Sequence, residues 1–371
     1  MKLTAKVKLD TTEKERDALK RTLELANAAC NDISQAAWDT KTFRQFTLHK
    51  LVYYNIREAY PELSSQVVIR AISKVVDAYK KDRKTIRTFK PLGSIAFDAR
   101  ILRWDTDKRQ VSIWTADGRI KHLGYLGGDR QHELLETQQG ESDLCCIDGE
   151  FYLFATCEID EPTSGDVDEF LGIDLGIVNP ATDSDGNHYG TGIVMSVRKR
   201  RRKQRKRLQS KGTKAAKRRL KKLSGKEKRF ATHTNHVISK RIVELAQRTG
   251  RGIALEELKG IRNRVRLRKP QRTDLHSWSF HQLGEYIKYK ARRLGVPVVF
   301  IDPRNTSREC PECGHISKTN RKSQAVFVCQ SCGFAANADI VGATNISTRG
   351  LGDYKPSTFS DATTTPLASG A

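Results

Sequence analysis

No run of apolar residues in this chain approaches the eighteen or so that a membrane-spanning helix needs, and the N-terminus MKLTAKVKLD has no apolar core of the kind a signal peptide carries. A soluble protein with no membrane partner is the expectation. Acidic residues are scarce beside basic ones, 43 Asp and Glu against 67 Lys and Arg, which gives a formal net charge of +24. An excess of that size implies a polyanionic partner, nucleic acid being the commonest. Cysteine is sparse and does not form a disulfide framework. Of eight, Cys30, Cys145, Cys146 and Cys157 are scattered through apolar stretches, and only Cys310, Cys313, Cys329 and Cys332 are grouped. Metal plus core in a reducing cytoplasm fits that pattern. No internal repeat is present, and 371 residues suffice for two or three domains with cores of ordinary size.

The opening residues alternate as a half-buried strand does, and Asp10, Thr11 and Thr12 then introduce a helix. Leu19, Leu23, Ala26, Cys30, Ile33 and Ala37 recur at steps of three and four, so they form one buried stripe. Val68, Ile72, Val75 and Tyr79 do the same over about 64–80. From about Ile86 to Ile159 the period becomes two, with turn pairs at Asp117-Gly118 and Asp148-Gly149, which predicts a small antiparallel β-barrel. Its first strand is the opening segment, so residues 1–10 and 84–160 form the barrel and residues 11–83 a helical insertion into it.

Polar residues 161–169 read as a linker before the apolar strand FLGIDLGIVN. A hairpin at Asp185-Gly186, a long basic helical stretch, a strand at about 252–257, a helix at 277–294, a strand at 296–302 and a helix at about 337–348 follow. The tail 349–371, rich in Ser, Thr, Pro and Gly, is expected to be disordered.

CPEC and CQSC are separated by fifteen residues, and two such pairs let four thiolates converge on one Zn²⁺ from two knuckle turns. Gly314 and Gly333 follow the second cysteine of each pair. With all four positions filled by cysteine no coordination site is open, so Cys310, Cys313, Cys329 and Cys332 predict a structural zinc ribbon over 308–334, and the chemistry lies elsewhere.

Three carboxylates stand where an acid is costly. Asp174 lies in an apolar strand, Glu256 ends the similar run GIALEEL, and Asp339 opens the last helix. Each alone is explained by a solvent-facing strand end or a helix cap. Together, on two strands and a helix, they form the set that two-metal phosphodiester hydrolysis requires, with Mg²⁺ or Mn²⁺ as the hard-ligand partner. In that scheme one ion activates the attacking water and the other stabilises the leaving 3′ oxygen.

GIDLGIVNPAT, ALEELKGI, HSWSFHQLGEYIKYKARRLG, TSRECPECG and CQSCGFAANADIVGATNI follow one another in the order and approximate spacing of the TnpB (OrfB) family, which is related to type V CRISPR effectors. The resemblance covers about residues 170–348, and the N-terminal half by its layout. It implies an α/β multidomain protein with an RNase H-like (RuvC-like) nuclease core, residues 170–307 and 335–348, split by the zinc ribbon and preceded by a wedge barrel with a helical recognition insertion. It also implies a guide (omega) RNA, cleavage of double-stranded DNA beside a transposon-adjacent motif, and a bacterial or archaeal, nucleoid-associated monomer or homodimer. By position it assigns Asp174, Glu256 and Asp339 as catalytic and Mg²⁺-binding, and it selects Glu256 over Glu257. Val341 and Gly342 depart from the family's NADxNAAxNI, which implies altered helix packing.

Residues 196–230 hold 19 Lys or Arg and the single acid Glu227. Self-repulsion that strong opposes ordering without a counterion, so Arg198, Lys199, Arg200, Arg201, Arg202, Lys203, Arg205, Lys206 and Arg207 predict phosphate contacts. By analogy with the family's recognition helix, Gln66 and Arg70, one turn apart on a polar helix side, are candidates for reading the adjacent motif. Trp278, Phe280, Tyr286 and Tyr289 suggest base stacking, although the spacing of Phe280, Leu283, Ile287 and Ala291 marks a buried face. Three alternatives stay open: a nuclease-inactive RNA-guided DNA binder, a cut-and-join transposase or transposase-associated DNA-binding protein, and a zinc-ribbon regulator without catalysis.

Overall fold

The structure is a computed structural model that describes residues 1–176, 179–190, 192–258, 280–323 and 325–354. The chain divides into two compact units at Asp160/Glu161.

In the first unit, β1 (Lys2–Leu9) is followed by three helices, α1 (Glu13–Asp39), α2 (Gln45–Ala59) and α3 (Ser65–Lys81), before the remaining strands β2 (Ile95–Phe97), β3 (Leu102–Asp105), β4 (Gln110–Thr115), β5 (Gly118–Leu126), β6 (Gln138–Ile147) and β7 (Glu150–Glu158). A short helix, α4 (Asp129–Leu135), lies between β5 and β6. The strands form one antiparallel sheet in the order β2-β6-β7-β1-β5-β4-β3. The sheet curls until its ends approach, and Trp104 on β3 donates to Ser142 Oγ on β6 at 3.3 Å. The opening segment does enter this sheet, beside β7 and β5, which sequence order alone would not pair.

α1 starts at a capping box: Thr12 accepts from the Glu15 amide, and Glu15 accepts from the Thr12 amide at 2.8 Å. All six positions of its expected stripe are fully buried, as are Val68, Ile72, Val75 and Tyr79 on α3. The helix α2 between them falls inside the expected helical insertion but has no clear stripe of its own, because only Leu48, Val52 and Ile56 of it are buried and the apolar pattern is broken by exposed Phe46, Leu51 and Tyr54.

In the second unit, β8 (Phe170–Asp174), β9 (Ala181–Asp183) and β10 (His188–Tyr189) form an antiparallel meander, and β11 (Gly252–Glu256) and β12 (Val298–Ile301) extend it in parallel, in the order β10-β9-β8-β11-β12. The hairpin at Gly186 (φ +87°) is where the sequence puts it. The basic stretch is two helices rather than one, α5 (Ile193–Lys211) and α6 (Lys214–Arg248). Gly212 ends the first in a left-handed conformation (φ +63°), and Thr213 caps the second by accepting from the Ala216 amide. α7 (Phe280–Arg293) leads to β12, and α8 (Ala338–Asp353) closes the described chain. α8 runs five residues past its expected end, so 349–353 are helical, and the remainder of the expected disordered tail beyond Tyr354 lies outside the described residues.

Alternation assigns the two sheet faces. Leu171, Ile173, Ile253 and Leu255 pack under α6 and α7 with Ile242, Leu283 and Ile287. Phe170, Ala254 and Ile301 pack with Ile346 of α8. Gly172 is required on that second face: a methyl group there would collide with the Ala343 carbonyl and come within 2.5 Å of the Ser347 amide, so α8 lies directly on the backbone of β8. Among the described residues no helix is long and apolar enough to cross a membrane.

Candidate functional site

β8 and β11 run parallel with Ile173 opposite Leu255. One residue further on, at the C-terminal edge of both strands, are Asp174 and Glu256. Period-two alternation puts them on the α8 face, with Gly172 and Ala254, and puts Glu257 on the α7 side. Asp339 reaches the same edge from the first turn of α8, where the Asn337 cap accepts from the Asp339 amide at 2.9 Å. Three elements far apart in sequence thus bring together the three carboxylates singled out above.

Two of the three acids are held by neighbours. Asn179 Nδ2 donates to Asp339 Oδ2 at 3.0 Å, and Arg321 donates to Asp339 Oδ1 at 3.3 Å. Thr306 Oγ1 donates to Glu256 Oε1 at 2.5 Å. Asn345, two turns along α8 from Asp339, donates to the carbonyls of Thr306 and Glu309 at 2.7 and 2.9 Å, tying the loop that bears Thr306 to the helix that bears Asp339. None of Asn179, Thr306, Asn345 and Arg321 was picked out as an individual residue from the sequence, although the first three lie within its quoted motifs.

Withdrawal from water pushes the Asp174 carboxyl up to about 8, and the negative charges of Glu256 and then Asp339 push in the same direction against Arg321. Withdrawal from water also raises Glu256, opposed by the Thr306 hydrogen bond and by the charges of Arg349 and Arg321.

The departure at Val341 and Gly342 has a physical account. Val341 is buried with Cys310, Phe327, Cys329 and Ala338, so it packs α8 onto the ribbon. A methyl group at Gly342 would sit 3.5 Å from Asp174 Cγ, ordinary contact distance, so glycine here opens space against the carboxyl without being sterically required.

The ribbon's hairpin is β13 (Val326–Val328) and β14 (Ala335–Asn337). Gly314 (φ +72°) and Gly333 (φ +77°) make the two knuckle turns. Cys310 Sγ lies 3.6 Å from Cys332 Sγ and Cys313 Sγ 3.6 Å from Cys329 Sγ, and all four sulfurs fall within 4.8 Å of one another. Amides of Cys332 and Ser331 approach Cys329 Sγ at 3.5 and 3.4 Å and lower that thiol to about 6. Such a set could hold one metal ion. Among the described residues it is the one group of metal-binding side chains gathered so tightly; the carboxylates spread more widely.

On the basic hairpin, Lys199, Arg200, Arg202, Lys203, Lys206 and Arg207 are exposed, whereas Arg198, Arg201 and Arg205 are half-buried. Arg205 pairs with Glu227, and Arg201 lies over the Phe230 ring at 4.7 Å. Gln66 is buried and hydrogen-bonds Asp98; Arg70 pairs with Asp98 at 2.8 Å and with Glu141, so both reach a polar network within the first unit rather than a bare helix side. Phe280 is buried and Tyr286 stacks on His236 at 4.0 Å, whereas Trp278 lies outside the described residues.

Residues 155–259 match the family model described as a probable transposase, OrfB of IS605, and residues 280–346 match the Cas12f1-like TNB domain. The chain is 33% identical over 216 residues to a CRISPR-associated endodeoxyribonuclease, Cas12f1, of Syntrophomonas palmitatica, covering 54% of this chain and 42% of that one. It is 34% identical over 174 residues to a TnpB-like protein of Methanocaldococcus jannaschii, covering 44% and 62%. A putative transposase of the same archaeon is 30% identical over 103 residues, 26% of this chain and 92% of that one. The chain therefore spans less than half the length of the Cas12f1 relative and under two thirds of the TnpB-like one.

Proposed function

We propose, from the premise that this chain belongs to the TnpB (OrfB) family, that it is an RNA-guided endonuclease that cuts double-stranded DNA beside a short adjacent motif. The observation that carries the reading is the placement of Asp174, Glu256 and Asp339, from two adjacent parallel strands and the first turn of α8, at one sheet edge, close enough that the charges of the other two raise the Asp174 carboxyl. Buried acids that repel one another are costly unless a cation neutralises them, and oxygen donors of this kind suit Mg²⁺ or Mn²⁺.

The second unit supports an RNase H-like reading of the core: a three-strand meander extended by two parallel strands, helices on both faces, and acids at the strand ends. Asp174, Glu256 and Asp339 would hold the divalent ions, which when bound supply Lewis-acid stabilisation of the reacting phosphate and a more acidic water. The chain's own residues do the rest. Thr306 fixes one oxygen of Glu256, Asn179 orients Asp339, and Arg321 places positive charge where a phosphodiester gains negative charge during cleavage. Cys310, Cys313, Cys329 and Cys332 would hold one Zn²⁺, and Arg321 is carried by that ribbon. The exposed cations of α5 and α6 would follow the backbone of a guide RNA:DNA hybrid.

The test is Mg²⁺-dependent cleavage of a guide-matched plasmid library with randomised flanks by protein purified with co-expressed RNA, beside Asp174→Ala. Cuts at one flanking motif, lost without RNA and lost in the variant, are expected. Retained RNA and matched-site binding without cuts would replace this reading with an inactive binder.

A further inference from the structure

Next to the carboxylates, on the α7 side of the sheet, the second unit has a cleft of about 240 Å³ that Glu256 also lines. One of its lining residues is Gly284, buried in the interior of α7. Glycine in a helix interior is unfavourable relative to alanine, so its presence calls for a reason. Crowding is not that reason: among the described residues nothing lies within 4 Å of where a Cβ would be. The missing side chain leaves a recess instead. Phe300 on the edge strand β12 also lines it, 37% exposed although its strand neighbour Ile301 is buried.

The geometry points to this cleft as the seat of the unpaired base next to the phosphate being cut, with Phe300 as its stacking surface and Glu285 as an acceptor for its edge. The inference rests on the nuclease reading and adds a specificity to it. Charge decides which part of a strand enters: besides Glu256, which would be taken up by the ions, Glu257 and Glu285 line the space, Glu285 with His281 Nδ1 at 3.8 Å, so a phosphate is disfavoured, while Lys288 at the same cleft can take the backbone. A neutral ring loses little on entry and gains stacking on an exposed aromatic. Carboxylate acceptors favour the exocyclic amino groups of cytosine, adenine and guanine. Thymine offers one N–H flanked by two carbonyl oxygens that face like charge, so it is disfavoured.

The experiment is single-turnover cleavage by the full RNA-bound protein of guide-matched targets that differ only in the base beside the cut, in wild type, Gly284→Ala, Gly284→Leu, Phe300→Ala and Glu285→Gln. Thymine is expected to be cut about tenfold more slowly than cytosine by wild type, with the difference shrinking in Glu285→Gln. Phe300→Ala should slow all targets about tenfold. Gly284→Ala should raise Tm by about 2–4 °C through helix propensity while slowing cleavage, and Gly284→Leu should slow it further, a split that a purely structural role for the glycine does not produce. Wild-type rates for Gly284→Leu, or equal rates for all four bases in wild type, would overturn the inference alone. Absence of any cutting by wild type would remove the nuclease reading and this inference with it.

Discussion

Thr306 donates its hydroxyl hydrogen to Glu256 Oε1 at 2.5 Å, and the same residue's carbonyl accepts from Asn345 at 2.7 Å. Glu256 is thereby tied through one residue to α8, the helix that carries Asp339. Thr306 acts as a positioning residue, because it acts through the acid it fixes. Thr306→Val keeps the shape and removes the donor; cleavage is expected to fall about 10- to 100-fold with guide RNA affinity unchanged, and Thr306→Ser should restore most of it. Equal single-turnover rates for Thr306→Val and wild type would remove the positioning role.

Zinc should matter to chemistry only through position. One zinc per chain is expected by elemental analysis, and none in Cys329→Ala. The ribbon carries Arg321, whose guanidinium lies 3.3 Å from Asp339, and it shares a core with Val341 of α8. Loss of zinc is therefore expected to abolish cleavage as well as to lower Tm. Arg321→Ala, which leaves the metal in place, should lower the rate at least tenfold while zinc content stays at one. Full activity in zinc-free protein would show that the ribbon does not hold Arg321 against Asp339.

The raised carboxyl of Asp174 gives stability a defined pH dependence. Its ordinary value of 3.8 rises to about 8 in the fold, so the folded chain binds a proton there that the unfolded chain has released. Stability contributed by that proton is present below pH 4 and is lost as pH rises towards 8. In metal-free protein Asp174→Asn is expected to raise Tm by several degrees at pH 8.5 and to leave it nearly unchanged at pH 4. Calorimetry at the two pH values checks the sign; a variant less stable than wild type at pH 8.5 would contradict it.

The exposed cations of α5 should appear as a salt dependence. Replacing Lys199, Lys203, Lys206 and Arg207 with Gln removes four charges from the helix surface. The slope of log affinity for RNA against log salt is expected to become shallower by about 0.7–0.9 for each phosphate that the protein no longer neutralises. An unchanged slope in filter-binding titrations would assign these charges to solvent.

Much of this was set by local pattern. The stripe from Leu19 to Ala37 and the alternation around Glu256 are periodicities, and periodicity follows from backbone geometry that is the same in every protein. The cysteine pairs are legible for a similar reason, since two residues between thiols is the span of one knuckle turn. The three acids were legible because charge inside an apolar run is costly enough to need a cause. Only the tertiary structure decided the rest. α2 hid because its exposed apolar side blurs the helical period. The break at Gly212 hid because a glycine among so many cations reads as part of a continuous helix until the hairpin's two arms pair. Thr306, Arg321 and Gly284 are ordinary as residue types, and their significance comes from partners or space set by segments 18 to 50 residues away and more. Sequence fixes which side chains a segment can bury; which of them meet at one edge of one sheet is settled when β8, β11 and α8 pack, because distance in space, not in sequence, sets the strength of a hydrogen bond or a charge.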